Sequence, residues 1–179
     1  MKIADSLWQR RPLGADARLR RWLLDRGSLT QRIQQRSRRF AVELRRSSRG
    51  RANRDERGLV GATGRPQCAV REVVLYGDGC AVVFAHSIAD ARALDGAWRL
   101  LRGLGARPLG AALFADPRVV RRPLRFRRVR AAHELHAGAG RALGAPPPQL
   151  WARRSLFEFR GARLLVTEVF LPAILALAP

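Results

Sequence analysis

Glu168 is a carboxylic acid in an otherwise apolar stretch near the end of the chain. Within residues 164–170 the side chains alternate between the two faces of a predicted strand, so Leu164, Val166 and Phe170 share a face with Glu168. An acid on an apolar face needs a charged partner or a raised pKa. One interpretation is an exposed carboxylate on the solvent side of a sheet, and the other is a buried acid that works in catalysis. Because the opposite face is also mostly apolar, we favour the buried catalytic acid.

Arg71 and His86 are further candidates for chemistry, and each lies in its own predicted strand. Arg71 shares a strand face with Ala69 and Val73, so it could be a buried charged group that works in a site. The same pattern fits a rim or salt-bridged arginine equally well. His86 follows Phe84 on one face, where a lone histidine is more often a core residue with satisfied hydrogen bonds than a catalyst. The pattern alone leaves both roles open.

Two short helices are predicted ahead of these strands. Asp16 is a good N-cap for a helix over residues 16–25, in which apolar side chains recur at helical spacing. Gly27 ends that helix, and Ser28 begins a second helical segment over residues 29–35. The sequence therefore predicts a helix, a tight turn and another helix.

Alternating apolar residues predict about six strands, most of them joined in hairpins. Gly77-Asp78-Gly79 and Arg160-Gly161 supply turn residues that tolerate positive backbone dihedrals. The predicted strands are 39–45, 69–76, 80–87, 119–129, 150–159 and 163–170. This order predicts an α+β fold, a six-stranded antiparallel sheet with helices packed on one face, in a single domain over residues 1–179.

Two helical segments and two loops are predicted between the strands. Asp90 caps a helix over residues 90–101, and a short helical turn follows over 108–114. Residues 46–64 are rich in Arg, Ser, Gly and Asp without apolar periodicity, which predicts an exposed and mobile loop. Residues 136–148 contain three glycines and three consecutive prolines, which predicts another loop.

The charge balance is strongly basic, with a formal net charge of +21. Of the 35 basic residues, 34 are arginine and Lys2 is the one lysine. Binding of phosphates as point charges would not exclude lysine, so we attribute the excess to biased composition and solvated faces. The basic runs at 45–57 and 118–130 keep a nucleic-acid-binding protein as an alternative, although Phe126 is the one aromatic residue among the arginines of the second run.

Several other classes of protein are not indicated. Cys68 and Cys80 form no disulfide framework, and His133 and His136, expected in a solvated loop, complete no metal site. No glycine-rich nucleotide loop is present, so we expect no cofactor. The apolar segment 164–179 is too short and too interrupted for a membrane span, and the N-terminus has no secretory signal. We therefore expect a cytoplasmic monomer that binds a small molecule, with no nucleic-acid partner.

Five stretches, in order along most of the chain, resemble motifs of the chorismate pyruvate-lyase family. The first is an opening helix–turn–helix, and the others are similar to the family's "REV-L--DG" hairpin, "PLG--LF" segment, "LW-RRS" strand and "L-TE-FLPA" ending. They lie at residues 22–33, 70–79, 107–114, 150–155 and 165–173. Any one match would be weak, but five in register are a specific signal.

The resemblance implies an enzyme that splits chorismate into 4-hydroxybenzoate and pyruvate, the first step of ubiquinone biosynthesis, without a cofactor. It also implies a six-stranded antiparallel sheet around an enclosed internal cavity that is roofed by two helix-turn flaps. Arg71 would bind the ring carboxylate, assisted by the backbone N–H groups of Leu29 and Leu109. Glu168 would face the hydroxyl end of the ring and could donate a hydrogen bond or a proton to a departing oxygen.

The sequence departs from the family pattern at a position where a second arginine is expected, because His86 stands there. The resemblance implies that His86 would bind the enolpyruvyl carboxylate of chorismate, with one neutral N–H or as an imidazolium. Arg107 or another arginine could take that role instead.

A non-catalytic module that binds a small aromatic acid is the main alternative function. The same fold type serves as an effector-sensing domain in bacterial transcription regulators, and a fold does not fix a function. Such domains normally follow a winged DNA-binding domain, and we expect none ahead of the first predicted helix.

Overall fold

The computed structural model describes residues 7–62 and 67–177. In these ranges the strands are β1 (Phe40–Gly50), β2 (Cys68–Gly77), β3 (Cys80–Asp90), β4 (Val120–Arg121), β5 (Arg125–Arg130), β6 (Gln149–Phe159) and β7 (Ala162–Phe170). The α-helices are α1 (Ala17–Leu23), α2 (Leu29–Gln34), α3 (Leu109–Ala115) and α4 (Glu134–Leu143). Short 3-10 helices cover Ala91–Asp95, Arg99–Gly103 and Pro172–Ala176.

The seven strands of the described residues form one antiparallel sheet. Their order is β1-β2-β3-β7-β6-β4, and β5 also pairs with β6. The predicted α+β fold with an antiparallel sheet is therefore confirmed, with seven strands in place of six. The seventh strand arises because Pro123 interrupts the predicted strand 119–129. Proline has no N–H to donate to a ladder, so β4 and β5 pair with β6 separately.

The two faces of the sheet are covered by different elements. On one face, here called the cavity face, α1, α2 and α3 pack against apolar side chains such as Val73 and Phe157. On the other, here called the rear face, α4 and the loop 51–62 cover residues such as Val74 and Val70. Because strand residues alternate between the faces, every side chain in the sheet is assigned to one environment or the other.

The opening helices and the hairpin turn begin as predicted. Asp16 accepts hydrogen bonds from two backbone N–H groups in the first turn of α1, and Ser28 Oγ accepts one from the backbone of Gln31 in α2 at 3.3 Å. Between β2 and β3, Asp78 has φ 50° and Gly79 has φ 82°. These positive values are what a two-residue hairpin turn requires.

The prediction of a mobile loop over residues 46–64 is wrong for most of its length. β1 continues to Gly50, which pairs with Cys68 of β2. An edge strand can leave polar side chains in solvent, so the absence of apolar periodicity did not exclude a strand here. The following loop, 51–62, packs on the rear face, where Glu56 is only 1% exposed. The last two residues of the predicted loop lie outside the described residues.

The prediction of a loop over residues 136–148 is also wrong, because α4 occupies its first half. Gly138 is what allows this helix to approach the sheet closely, since a Cβ at that position would lie 2.6 Å from the ring of Phe84. His133 caps the helix by accepting a hydrogen bond from a backbone N–H. His136 is buried and binds a backbone carbonyl at 2.7 Å, so it does not lie in a solvated loop.

The predicted helix over residues 90–101 is two 3-10 helices, Ala91–Asp95 and Arg99–Gly103. Gly96, with φ −130° and ψ −110°, separates them. None of the helices in the described residues is long and apolar enough to cross a membrane.

Candidate active site

A small cavity lies between the cavity face of the sheet and the first residues of α2 and α3. Its volume is about 50 Å³, room for a few water molecules at roughly 10–15 Å³ each. Most of its wall is apolar. Its polar side chains are Thr30, Arg71, Ser87, Arg121, Ser155 and Glu168. An apolar chamber with a few charged groups is typical of a site for a small organic acid.

The register of the sheet brings Arg71 and Glu168 to this one cavity. Arg71 in β2 pairs with Ser87 in β3, and Ser87 pairs with Val166 in β7. Directly paired residues point to the same face, and side chains two residues apart do the same. Glu168, two residues beyond Val166, therefore points to the face that carries Arg71, and both side chains line the cavity.

Arg71 is fixed by the backbone that precedes α3. Its Nε and Nη2 donate to the carbonyl of Gly105 at 3.3 and 2.9 Å, and Nη2 also donates to the carbonyl of Arg107 at 2.8 Å. Burial lowers the pKa of Arg71 to about 10. Within residues 7–62 and 67–177, no carboxylate forms an ion pair with Arg71 and Nη1 makes no hydrogen bond. The guanidinium is thus a positioned cation with an unused donor.

A buried arginine stabilises Glu168 in the apolar wall of the cavity. The Glu168 side chain is 15% exposed and accepts a hydrogen bond from Nε of Arg153 at 2.5 Å, while the side chain of Arg153 is 0% exposed. Nη1 of Arg153 also donates to the carbonyls of Trp22, Leu23 and Asp25 at 3.0, 3.3 and 2.6 Å. These are carbonyls at and after the end of α1, which carries partial negative charge. Arg153 therefore links Glu168 to the helix–turn–helix.

Arg153 lies in the "LW-RRS" stretch, but no role for it was predicted from the sequence. A usable signal was present, since alternation along β6 places Arg153, Ser155 and Phe157 on one face. Arg154 points the other way, and its guanidinium carbon lies 4.2 Å from the ring centroid of Trp8. The two arginines of the motif therefore serve opposite faces of the sheet.

Arg121 in β4 is a second cation in the cavity wall, and it was not predicted from the sequence. Its Nε donates to Oγ of Ser155 at 2.9 Å, and its guanidinium carbon lies 5.3 and 5.5 Å from the ring centroids of Phe114 and Phe157. Burial lowers the pKa of Arg121, and the charge of the nearby Glu168 partly opposes that shift. Its strand is only two residues long within a basic run, so alternation gave no usable signal.

α2 and α3 form the roof of the cavity, and they meet closely. Leu29 and Leu109, the first residues of the two helices, are buried and line the cavity. A Cβ on Gly110 would lie 2.9 Å from Oγ of Ser28, so only glycine allows this contact. Pro108 precedes α3 and gives it no side-chain cap, which leaves N–H groups of its first turn for other acceptors.

His86 lies on the rear face and does not line the cavity. Its Nδ1 is 3.1 Å from Oε1 of Glu72, and its Nε2 is 3.5 Å from Oε1 of Glu56. The second contact is an ion pair too long for a good hydrogen bond. Burial alone would lower the pKa of His86, but the two carboxylates outweigh it and raise the pKa to about 9. The structure therefore separates His86 from the place where a substrate carboxylate was expected.

A β-bulge explains why His86 faces away. The hairpin turn after β2 sets a register that, continued without interruption, would put His86 opposite Arg71. Val82 is an extra residue of β3 at the register shift beside Leu75, and beyond it Arg71 pairs with Ser87. A shift of one residue turns each following side chain to the other face.

Arg107, the other arginine considered for the second carboxylate, does not line the cavity either. Its exposed side chain donates to the carbonyls of Gly103 and Leu104 at 2.7 and 3.4 Å. Its own carbonyl accepts a hydrogen bond from Arg71. Its contribution to the site is therefore made by the backbone.

The described residues contain no group of three or more His, Cys, Asp and Glu side chains that could hold a metal ion. His133 and His136, the spaced pair seen in the sequence, are used in capping α4 and in binding the backbone of Pro147.

Comparison with known proteins gives a consistent result over nearly the whole chain. A family model described as chorismate lyase matches residues 3–177. A protein of Azoarcus sp. (strain BH72) named "Probable chorismate pyruvate-lyase" is 49% identical over 177 residues, which cover 97% of this chain and 94% of that protein. A protein of Nitrosospira multiformis with the same name is 47% identical over 172 residues and 96% of each chain.

Among solved structures, similar folds occur in an effector domain and in the C-terminal domain of a repressor. The effector domain of PhnF from Mycobacterium smegmatis has a TM-score of 0.60 at 18% identity, covering 83% of this chain and 91% of that one. The C-terminal domain of the histidine utilization repressor from Pseudomonas syringae pv. tomato has a TM-score of 0.54 at 10% identity, covering 75% and 93%. These likenesses concern the fold alone. The sequence matches decide the family, and this chain belongs to the chorismate lyase family.

Proposed function

We propose that the protein is a chorismate pyruvate-lyase, which converts chorismate into 4-hydroxybenzoate and pyruvate as the first step of ubiquinone biosynthesis. The observation that supports this most strongly is that Arg71 and Glu168 line one small, mostly apolar cavity. We also propose that it acts as one domain, since a single sheet runs from β1 to β7, and as a cytoplasmic monomer without nucleic acid.

In this proposal Arg71 binds the ring carboxylate of chorismate. Its guanidinium is already oriented by two backbone carbonyls, so it loses little side-chain entropy when the ligand arrives. The backbone N–H groups of Leu29 and Leu109 are at the first positions of the roof helices, where N–H groups favour an anion. The low dielectric of the apolar wall strengthens each of these contacts.

Glu168 is proposed to face the hydroxyl end of the ring. Because its carboxylate already accepts a hydrogen bond from Arg153, we assign it the role of acceptor for the ring hydroxyl group, in place of the donor role expected from the sequence. In the reaction the bond from ring carbon 3 to the ether oxygen breaks and carbon 4 loses a proton. The ring becomes aromatic, and the enolpyruvate that leaves takes up a proton to become pyruvate. Aromatisation drives the reaction, so the protein mainly has to orient the substrate and exclude water.

The test is the rate of 4-hydroxybenzoate formation from chorismate, followed by absorbance. Arg71→Ala and Glu168→Ala should each lower kcat/KM by roughly 10²–10⁴-fold, as expected for loss of a group that binds or acts on the reacting ring. Arg92→Ala, at an exposed arginine outside the cavity, is the matched control and should keep the wild-type rate. Near wild-type rates in both cavity variants would end the proposal.

A non-catalytic binding module remains the second candidate, and the fold shared with effector domains is the observation that favours it. The same assay separates the two candidates. Binding of 4-hydroxybenzoate without any turnover of chorismate would support the module.

A further inference from the structure

We propose that Arg121 is the second anion-binding residue of the cavity, where it binds the enolpyruvyl carboxylate of the substrate and makes the site selective for a dianion over a monoanion. This inference rests on the proposed function, because it names the residue that recognises the second carboxylate of chorismate.

Arg121 is a cavity-lining guanidinium without a carboxylate of its own. Its partners are Oγ of Ser155 at 2.9 Å and the backbone carbonyls of Arg26 and Gly27 at 2.6 and 3.5 Å. Among residues 7–62 and 67–177, no carboxylate forms an ion pair with it, since Glu168 is paired with Arg153. A cation removed from water gains stability when an anion pairs with it, and in this cavity the anion would come from a ligand.

Arg71 meets the same description on the other side of the cavity. It lies in β2, and Arg121 lies in β4, four strands further along the sheet. Strands lie about 4.8 Å apart, which separates the two backbones by roughly 19 Å and lets the two long side chains reach inward from opposite sides. Two unpaired guanidinium groups facing one cavity suit a ligand that carries two carboxylates.

The surroundings of Arg121 would strengthen an ion pair that it forms with a ligand. The rings of Phe114 and Phe157 lie 5.3 and 5.5 Å from its guanidinium carbon, so one side of the group contacts an apolar surface. An ion pair formed there is stronger than one formed in solvent. The aromatic rings also restrict the side chain, which reduces the entropy lost on binding.

The other cations near the site are not available for this role. His86 lies on the rear face, and Arg107 is exposed. Arg153 is fully buried, binds Glu168 and three backbone carbonyls, and does not line the cavity.

The experiment compares two ligands that differ in their number of carboxylates. For wild type, Arg121→Gln and Arg121→Lys, kcat/KM is measured with chorismate and Kd is measured with 4-hydroxybenzoate, which carries the ring carboxylate alone. Losing a hydrogen bond to a charged group should lower kcat/KM for chorismate roughly 10- to 100-fold in Arg121→Gln. The Kd of Arg121→Gln for 4-hydroxybenzoate should stay within about twofold of wild type. The kcat/KM of Arg121→Lys for chorismate should lie between the values of wild type and Arg121→Gln.

Arg122→Gln is the control, because the neighbouring Arg122 is exposed and pairs with Glu158 at 2.6 Å. It should leave both values unchanged, whereas Arg71→Gln should weaken both ligands. If Arg121→Gln weakens both ligands equally, Arg121 acts through the roof, by way of its bond to Arg26, and the inference is overturned. An unchanged kcat/KM for chorismate overturns it too. Failure of the proposed function would show separately, as absence of turnover in the wild-type protein.

Discussion

At the scale of single residues, the buried guanidinium of Arg153 accounts for a carboxylate in the wall of an apolar cavity. It neutralises Glu168 and also binds three carbonyls, two at the end of α1 and one after it. Removing one member of a buried pair leaves the other charge without a partner, which is far more costly than losing an exposed pair.

Arg153→Met should therefore lower the free energy of unfolding by about 3–5 kcal/mol, measured by denaturant titration. Arg122→Met breaks the pair with Glu158, in which the Arg122 side chain is 56% exposed, and should cost about 0–1 kcal/mol. Adding Glu168→Gln to Arg153→Met should recover part of the loss, because it removes the stranded charge. Equal losses in the two single arginine variants would contradict this account of the pair.

His86 gives the protein a pH-dependent stability. Its pKa is raised to about 9 by Glu56 and Glu72, above the value of about 6.5 expected in the unfolded chain. A raised pKa stabilises the folded state fully below about pH 6.5, and this contribution is lost as the pH rises through about 9. The free energy of unfolding should thus fall by roughly 3 kcal/mol between pH 6.5 and 9.

Urea titrations at several pH values across that range measure the slope of the free energy of unfolding against pH. His86→Gln should flatten it, and His136→Gln, at a histidine bound to a backbone carbonyl, should retain it. A wild-type protein equally stable at pH 6.5 and pH 9 would show that the buried cluster does not hold a proton.

At the scale of elements, the contact between α2 and α3 determines how tightly the cavity closes. Gly110→Ala places a Cβ 2.9 Å from Oγ of Ser28, so either the Ser28 side chain gives up its cap on α2 or one of the two helices moves. Overpacking of this kind typically costs about 1–3 kcal/mol, so the affinity for 4-hydroxybenzoate should fall roughly tenfold.

Isothermal titration calorimetry with 4-hydroxybenzoate measures the effect. Gly103→Ala is the matched control, since a Cβ there meets nothing within 4 Å, and it should bind as wild type does. Adding Ser28→Ala to Gly110→Ala should restore part of the affinity. Wild-type affinity in Gly110→Ala alone would mean that the roof does not close on the ligand.

An element could be predicted from the sequence when it buries an apolar face, because such a face leaves a periodic pattern of apolar residues. The opening helices and both hairpins have caps, turn residues and apolar periodicity, and they lie where the sequence places them. The end of β1 escaped prediction because an edge strand with polar side chains has no apolar pattern. α4 escaped because its glycines, which resemble loop residues, serve close packing such as that of Gly138 on Phe84.

The site was predictable to a different extent. Alternation and family resemblance placed Arg71 and Glu168 in one cavity, but the face of His86 depended on the bulge at Val82, which no local pattern announces. Arg121 reaches the cavity through the pairing of β4 with β6, a long-range contact. The positions of residues that depend on such pairings are set by the strand register of the whole sheet, so they cannot be predicted from the local sequence.

At the scale of the whole molecule, the chain carries a net charge of +21, and part of its basic surface takes part in the fold. Several arginines of the run 118–130 are engaged in the fold, as in the pairs of Arg122 with Glu158 and Arg127 with Asp55. Phe126, the aromatic residue of that run, is 2% exposed and cannot stack on a base. The excess charge can instead attract a small anionic substrate towards the cavity.

The sheet and its roof together place the guanidinium of Arg71 and the carboxylate of Glu168 around one cavity, where both can contact the same ligand ring. A crystal structure of the complex with 4-hydroxybenzoate tests this most directly. The account predicts the ring inside the cavity beneath α2 and α3, with its carboxylate against Arg71 and its hydroxyl group against Glu168. A ligand bound elsewhere, or bound in the cavity with its two ends exchanged, would contradict it.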